Sequence, residues 1–556
     1  MIECGVNLLE KEKSRTATTG ENQQNMMKNK TDEAVITDKR KNGKKQKWQK
    51  QKTSKVKAAK AKAAKVKAAK EKEAKEARKM FENFLRSVYL PKEKVGLLQK
   101  DSFKAVYKYS DRFFYGQSFE FSYDLARISL CLAVAAMNPD SLRGDYENAP
   151  ENLKRFLENL GFSDFYTNED YKSKPRTDSF GVGIAKKKIR VGGKTYTLLA
   201  VGCRGGGYEL EWCGNFDIGS DGDFAGFKAT SQIAFDFINK YIYYYHVSGP
   251  VILWSAGFSR GGATCNMLGG KIDTLLSSGQ QPFDGVTLEK RHAYFYTFEA
   301  PRGACSESRS AAVCTNIFNI INENDLVTYA APSAMGFGRF GKDVFLPSRA
   351  NCEKRDYEKI LKKVKDEINI IYSMNIMALT QNILGDVFIT PPKFIRKETR
   401  SVGDFLSDYM QIVCDEANGR EESLPVFSAI QHMLSIFFKV DSEMASVIFK
   451  EYTKRIAKNT DSFLSGIFDN NNDARLNVMR ENFYIALKDS GVTEKTVEEI
   501  REDINTVFGF FSKVADDYPY EFSVLTLNLP AVVSPHDYGL ELAFLNALDE
   551  DYFKNV

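Results

Sequence analysis

Residues 251–262 read Val-Ile-Leu-Trp-Ser-Ala-Gly-Phe-Ser-Arg-Gly-Gly, and no other stretch restricts the fold as strongly. An apolar run of strand character ends in Gly257-Phe258-Ser259-Arg260-Gly261, a G-x-S-x-G pentapeptide, and a helix-compatible segment follows from Ala263 to Leu268. On a sharp strand-to-helix turn, side chains two residues to either side of the serine would collide. Gly257 and Gly261 therefore answer a steric demand. The turn pushes Ser259 Oγ outward, at a helix N-terminus whose dipole favours developing negative charge. Taken alone, the pentapeptide also fits an ordinary Gly-rich turn between a strand and a helix.

A serine so placed becomes a nucleophile when an acid and a base follow in the order Ser, Asp/Glu, His. The chain holds four histidines, His246, His292, His432 and His536, and only the last three follow Ser259. His292 precedes the apolar run Ala293–Phe298 and is expected at the start of the next core strand, away from the site. His432 lies in the amphipathic helical pattern Phe427–Leu434, where a structural or surface role is expected. His536 sits in the loop Ser534-Pro535-His536-Asp537-Tyr538, before the helical Leu540–Leu548, as the chain order requires. For the acid, the β-type run Thr315–Ile321 ends in Asn322-Glu323-Asn324-Asp325-Leu326-Val327. Functional groups of α/β sheets sit in loops at the carboxyl ends of strands, which selects Asp325, with Glu323 as second choice.

Further segments run in chain order around these residues. They are Leu198–Gly206, Glu211-Trp212 with Asn215-Phe216-Asp217, Ala225-Gly226-Phe227, Tyr296–Arg302, Asn322–Val327, and His536 with Leu545–Leu548. They resemble, in turn, the R-G-[ST] oxyanion segment, the acidic-Trp stretch, H-x-G-F, T-F-G-x-P-R, N-x-x-D-x-V and the histidine segment of the class 3 (fungal-type) lipase family. The likeness covers roughly 195–335 and 530–550. It implies an α/β-hydrolase fold, a sheet flanked by helices, and a serine acyl-ester hydrolase with Ser259, Asp325 and His536 as its triad. Backbone N–H groups of Gly206 and Arg260 would form the oxyanion hole, and no metal or cofactor is needed. The implied substrate is an ester or lipid.

Several positions depart from the family. Phe258 and Arg260 stand where the family carries His and Leu, Gly206 lacks the supporting hydroxyl, and Phe224 or a neighbour replaces the H-x-G-F histidine. Arg260 is expected to pair with a surface carboxylate, the alternative being an anionic group of the substrate. Only the short polar run Gly219–Asp223 stands near the place of the family's apolar lid helix, so interfacial activation is not expected. A second reading is a catalytically silent hydrolase fold used for binding. A peptidase using the same turn is less favoured, because the flanking segments look like lipase segments.

The rest of the chain sets the organisation. Residues 39–79 hold 19 Lys/Arg against three Glu, a local charge of +16, so within a net charge of +5 the remainder is −11. A five-residue repeat begins at Lys55 and recurs at Lys60, Lys65 and Lys70. On a helix this period spirals the lysines round the axis and leaves no apolar stripe to dock, so residues 1–80 are expected to be a disordered tail. Such a tail suits a polyanion or acidic membrane surface, and equally a solvated spacer. The other expected units are 81–345, a hydrolase core whose first part to 160 is helical; 346–525, a helical insertion read as a cap over the site, the alternative being a packing or partner-binding domain away from it, with a loop at Asp469–Asp473; and 526–556, the return to the core. Nine cysteines without metal-ligand spacing point to a reducing compartment, and no signal peptide is visible, so the expected location is cytoplasmic with peripheral membrane association through the tail. The longest apolar run, around Ile128–Met137, is too short to span a bilayer.

Overall fold

A computed structural model of the chain describes residues 93–554, apart from 101–102, 139–144, 206–209, 349–350, 373–401, 417–418, 442, 459–471, 523 and 526–534. The Lys-rich tail, the helical pattern expected at Phe81–Val88, and Gly206 lie outside the described residues.

Eleven strands are described: β1 (Lys94–Lys100), β2 (Phe103–Tyr109), β3 (Ser163–Thr167), β4 (Val182–Val191), β5 (Lys194–Cys203), β6 (Gly249–Phe258), β7 (Val286–Phe298), β8 (Ala304–Cys305), β9 (Ile317–Ile321), β10 (Phe337–Gly338) and β11 (Lys342–Phe345). Helices in the first part are α1 (Tyr123–Ala136), α2 (Glu151–Leu160), α3 (Ala225–Tyr244), α4 (Arg260–Ser277) and α5 (Ser306–Ala311). Those after β11 are α6 (Lys354–Tyr372), α7 (Val402–Glu416), α8 (Arg420–Val440), α9 (Met444–Lys458), α10 (Asn472–Asp489), α11 (Glu494–Glu499), α12 (Arg501–Asp517) and α13 (Tyr538–Ala547).

The central sheet has seven strands in the order β11-β9-β7-β6-β5-β4-β3. From β11 to β5 the neighbours are parallel; β4 and β3 are added antiparallel. Because side chains alternate across a strand, the central strands feed two cores. On one face Leu198, Ala200, Ile252, Trp254, Tyr296 and Phe318 pack with α1, α2, α6 and α13. On the other, Leu199, Val201, Leu253, Phe295 and Ile317 pack with α3 and α4. Buried Trp254 satisfies its indole N–H by donating to Ser129 Oγ of α1 at 2.7 Å. The protein is thus a mixed α/β fold with a mostly parallel sheet between helical layers.

Two expectations of local structure change. Residues 94–109, expected to be helical, form an antiparallel hairpin, β1 with β2. The reason is a period of two: Phe103, Ala105, Tyr107 and Tyr109 are buried, while Val106 and Lys108 between them are exposed. At the expected loop Asp469–Asp473, Asn472 and Asp473 already belong to α10, and 469–471 lie outside the described residues.

All described elements between β11 and the loop before His536 are helices, and α8 to α12 share a core of their own around Met433, Phe437, Ile504 and Phe508. Helix α8 is long and apolar enough to cross a membrane by length and composition. Within this insertion it buries Val426, Ala429, Met433, Ile436 and Phe437. Cys131, Cys203, Cys213, Cys265, Cys305, Cys314 and Cys352 are free thiols.

Candidate active site

The turn after β6 is built as tightly as the glycines foretell. Ser259 has φ 56° and ψ −127°, a conformation that costs a non-glycine residue free energy and persists only where its surroundings enforce it. A Cβ on Gly261 would lie 2.5 Å from the Cys203 carbonyl oxygen, and one on Gly257 would strike the Gly261 carbonyl. Arg260 opens α4, so its N–H belongs to the first turn, where amides have no intrahelical acceptor.

His536 comes to this turn from the far end of the chain. Its Nε2 lies 2.8 Å from Ser259 Oγ and its Nδ1 lies 2.6 Å from Asp325 Oδ2. A carboxylate can only accept, so Nδ1 carries the proton; in the neutral ring Nε2 then accepts from the serine hydroxyl. The carboxylate of Asp325 is fully buried, and its second oxygen accepts from the Val327 N–H at 2.8 Å, capping the short 3-10 turn Leu326–Tyr329. The imidazole is held by packing as well. Phe258 lies against it with ring centroids 5.0 Å apart, and Tyr538 meets Phe258 edge-on at 5.9 Å. Next to it, Asp537 caps α13 through the Leu540 N–H and accepts from Tyr372 Oη of α6 at 2.6 Å. Burial raises the Asp537 pKa.

The alternatives considered from sequence stand elsewhere. Glu323 accepts from Asn351 Nδ2 at 3.0 Å and from the Ser348 hydroxyl, away from the imidazole. His432 on α8 pairs its Nδ1 with Asp503 Oδ2 at 2.8 Å. His292 is not at the start of its strand: β7 begins at Val286, and His292 lies in the register shift just before Ala293 pairs with Leu253. It lies six positions before Phe298 at the strand's carboxyl end, about 20 Å along a strand. It is buried against Tyr196 and its pKa is lowered by that burial.

Arg260 also departs from expectation. Its side chain is buried and, among the described residues, pairs with no surface carboxylate: the guanidinium donates to the Glu211 carbonyl, to Asn215 Oδ1 at 3.3 Å and to the Ser179 carbonyl at 3.4 Å. Arg204, equally buried, donates to the Glu211 carboxylate, which also accepts from Ser179 Oγ at 3.1 Å. The two arginines brace the 3-10 segment Leu210–Phe216, because a buried cation needs acceptors and this segment supplies several of them. Beyond it, the polar run 218–222 is clasped from the insertion. Arg420 at the start of α8 donates to the carbonyls of Ile218, Gly219, Asp221 and Gly222.

Two carboxyls escaped the sequence reading, Glu299 and Glu541. Glu299 follows β7 at φ 47° and is fully buried, with Asn322 N–H donating to its carboxyl oxygens at 3.1 and 3.2 Å. Glu541 is buried on α13. Both faced notice in the sequence: Glu299 stands at the glycine of T-F-G-x-P-R, and Glu541 is the lone charge in the apolar Tyr538–Leu548. Among the described residues no group of His, Cys, Asp and Glu is arranged to hold a metal ion.

No family profile and no curated protein matches the chain. Solved structures similar to it include a Rhizomucor miehei lipase propeptide complex, 15% identical over 41% of this chain and 69% of that one, TM-score 0.27. A fungal lipase–inhibitor complex described as a model for interfacial activation is 14% identical over 41% and 80%, TM-score 0.28. A lipase from Rhizopus microsporus var. chinensis is 15% identical over 41% and 75%, TM-score 0.25. At these scores the site rests on its own geometry.

Proposed function

We propose that the protein is a serine hydrolase of the α/β-hydrolase type, lipase-like, that cleaves carboxylic esters. One observation carries the reading: two hydrogen bonds, 2.8 and 2.6 Å long, link a strained turn serine through an imidazole to a buried carboxylate. In this reading Ser259 Oγ attacks the acyl carbonyl while His536 Nε2 takes its proton. The imidazolium then gives that proton to the leaving alcohol, and a water repeats both steps to release the acid. Asp325 keeps Nδ1 protonated and stabilises the imidazolium. The N–H of Arg260, with that of Gly206, would hold the oxyanion.

The favoured substrates are soluble short- or medium-chain esters, hydrolysed without a jump at the micelle threshold. The support is the polar character of the run 219–223 and its engagement by Arg420. A fluorophosphonate is expected to label Ser259, and Ser259→Ala to abolish both labelling and ester hydrolysis. Equal labelling of both proteins overturns the reading.

A further inference from the structure

Behind the carboxylate of Asp325 the fold buries two further carboxyls. Glu299 is surrounded by protein at the end of β7 and Glu541 at the first turn of α13, both about 1% exposed or less. Neither oxygen of Glu541 meets an N–H or O–H donor among the described residues. What faces it is the carboxyl of Glu299, which in turn faces that of Asp325. Two bare carboxylates repel; two carboxyls hydrogen bond when a proton lies between them. A buried, donorless carboxylate would cost several kcal/mol or more, so the Glu541–Glu299 contact holds a proton. The remaining charges nearby do not remove that need. His536 faces the cluster through Asp325. Arg339, which lies near Glu299, spends its guanidinium on the Ala300 carbonyl at 2.7 Å, the Thr328 carbonyl and Asp343 at 3.2 Å. Asp537, on the other side of His536, is occupied by Tyr372.

Glu299 sits at φ 47°, where glycine would be unstrained, so placing its carboxyl here carries a conformational cost.

We propose that Glu299 and Glu541 are positioning residues: both carboxyls carry a proton, Glu541 donates to Glu299, and Glu299 donates from within the core to Asp325, fixing the carboxylate that orients His536. The inference rests on the serine-hydrolase reading for its kinetic consequence, though not for the proton itself. Burial and the neighbouring carboxylates push Glu299 well above the usual carboxylate range and Glu541 up to about 7. The two groups interact, and their titrations are coupled. Loss of the Glu541 proton draws the Glu299 proton away from Asp325, and so works against the reaction. The rise of kcat/KM with pH from histidine deprotonation should therefore be followed by a fall at higher pH.

The test uses the full chain and four variants, Glu299→Gln, Glu299→Leu, Glu541→Gln and Glu541→Leu. Glutamine mimics a protonated glutamate and keeps a donor; leucine keeps only bulk. Glu299→Gln is expected to hold kcat within about threefold of the parent and to reduce the pH profile to a single ionisation. Glu299→Leu should lower kcat by about tenfold or more at unchanged KM, the kinetic equivalent of one hydrogen bond to a charged group. Infrared difference spectra against pH should show a protonated-carboxyl C=O stretch that either Glu541 variant removes. Identical kinetics in the Gln and Leu variants would reduce the pair to packing and overturn the proposal, as would absence of the infrared band. Should Glu299→Leu not fold, the Glu541 pair of variants decides by the same criteria. Failure of Ser259→Ala to abolish labelling would sink the hydrolase reading instead, while the infrared band still tests the proton.

Discussion

The turns after β6 and β7 lie side by side, with Phe258 opposite Phe298 in register, and each carries a non-glycine residue at positive φ, Ser259 at 56° and Glu299 at 47°. Their strain is alike and their use is opposite. Ser259 points a hydroxyl out of the sheet edge toward His536, and its neighbours Gly257 and Gly261 are small so that the backbone can fold so tightly. Glu299 turns a carboxyl inward, and nothing beside it in sequence is shaped to help; its partners are Asn322 and, 242 positions on, Glu541. Strain that presents a group leaves a local motif, whereas strain that buries a group is answered by distant residues.

The comparison breaks most visibly at the first turn. Ser259→Ala and His536→Ala are each expected to lower kcat by about four orders of magnitude or more, and Asp325→Asn somewhat less, because such groups act as a unit. His292→Ala and His432→Ala should leave kcat within a few-fold; loss of activity in either, with His536→Ala active, would mean that the outward turn serves something else. At the second turn the expected gain is in stability. Replacing both buried acids in Glu299→Gly/Glu541→Leu relieves the backbone and removes two buried polar groups, and should raise stability by about 1–3 kcal/mol in denaturant titration. An equal loss would make the inward turn structural. The smallest effect is on the pH dependence of stability. The native chain holds the Glu541 proton up to about pH 7, whereas an unfolded glutamate releases it near its usual 4.5. Stability from this group is therefore full below about 4.5, falls as pH rises through about 7, and is then constant. Glu541→Gln should flatten that slope.

Much of the candidate site was legible because its demands are local. The pentapeptide with its glycines, the Asp325 turn after a β run, and the late loop histidine could be read from short windows, and the four-histidine count narrowed the search. The β1–β2 hairpin was missed because helical runs on either side masked its period of two. The fate of Arg260 was illegible for a different reason. Whether a guanidinium reaches solvent or the carbonyls of Glu211 and Ser179 depends on how Leu210–Phe216 folds beneath it. Glu299 and Glu541 belong to the same kind: each is conspicuous alone, and only the tertiary fold brings them together.

The hydrogen bond from Tyr372 to Asp537 also bears on chain connectivity. Asp325 and His536 are 211 positions apart. Tyr372 ends the first helix after β11, only 47 residues from Asp325, and its hydroxyl reaches the residue next to His536. The chain between them thus departs from and returns to one spot, and the meeting of acid and base closes a loop of about 50 residues, not 211. Loop-closure entropy grows with the logarithm of length, so once the Tyr372–Asp537 contact has formed, bringing acid to base costs about 1 kcal/mol less than it would without it. More consequentially, the insertion can lengthen, shorten or be exchanged without altering the distance across which His536 must find Asp325.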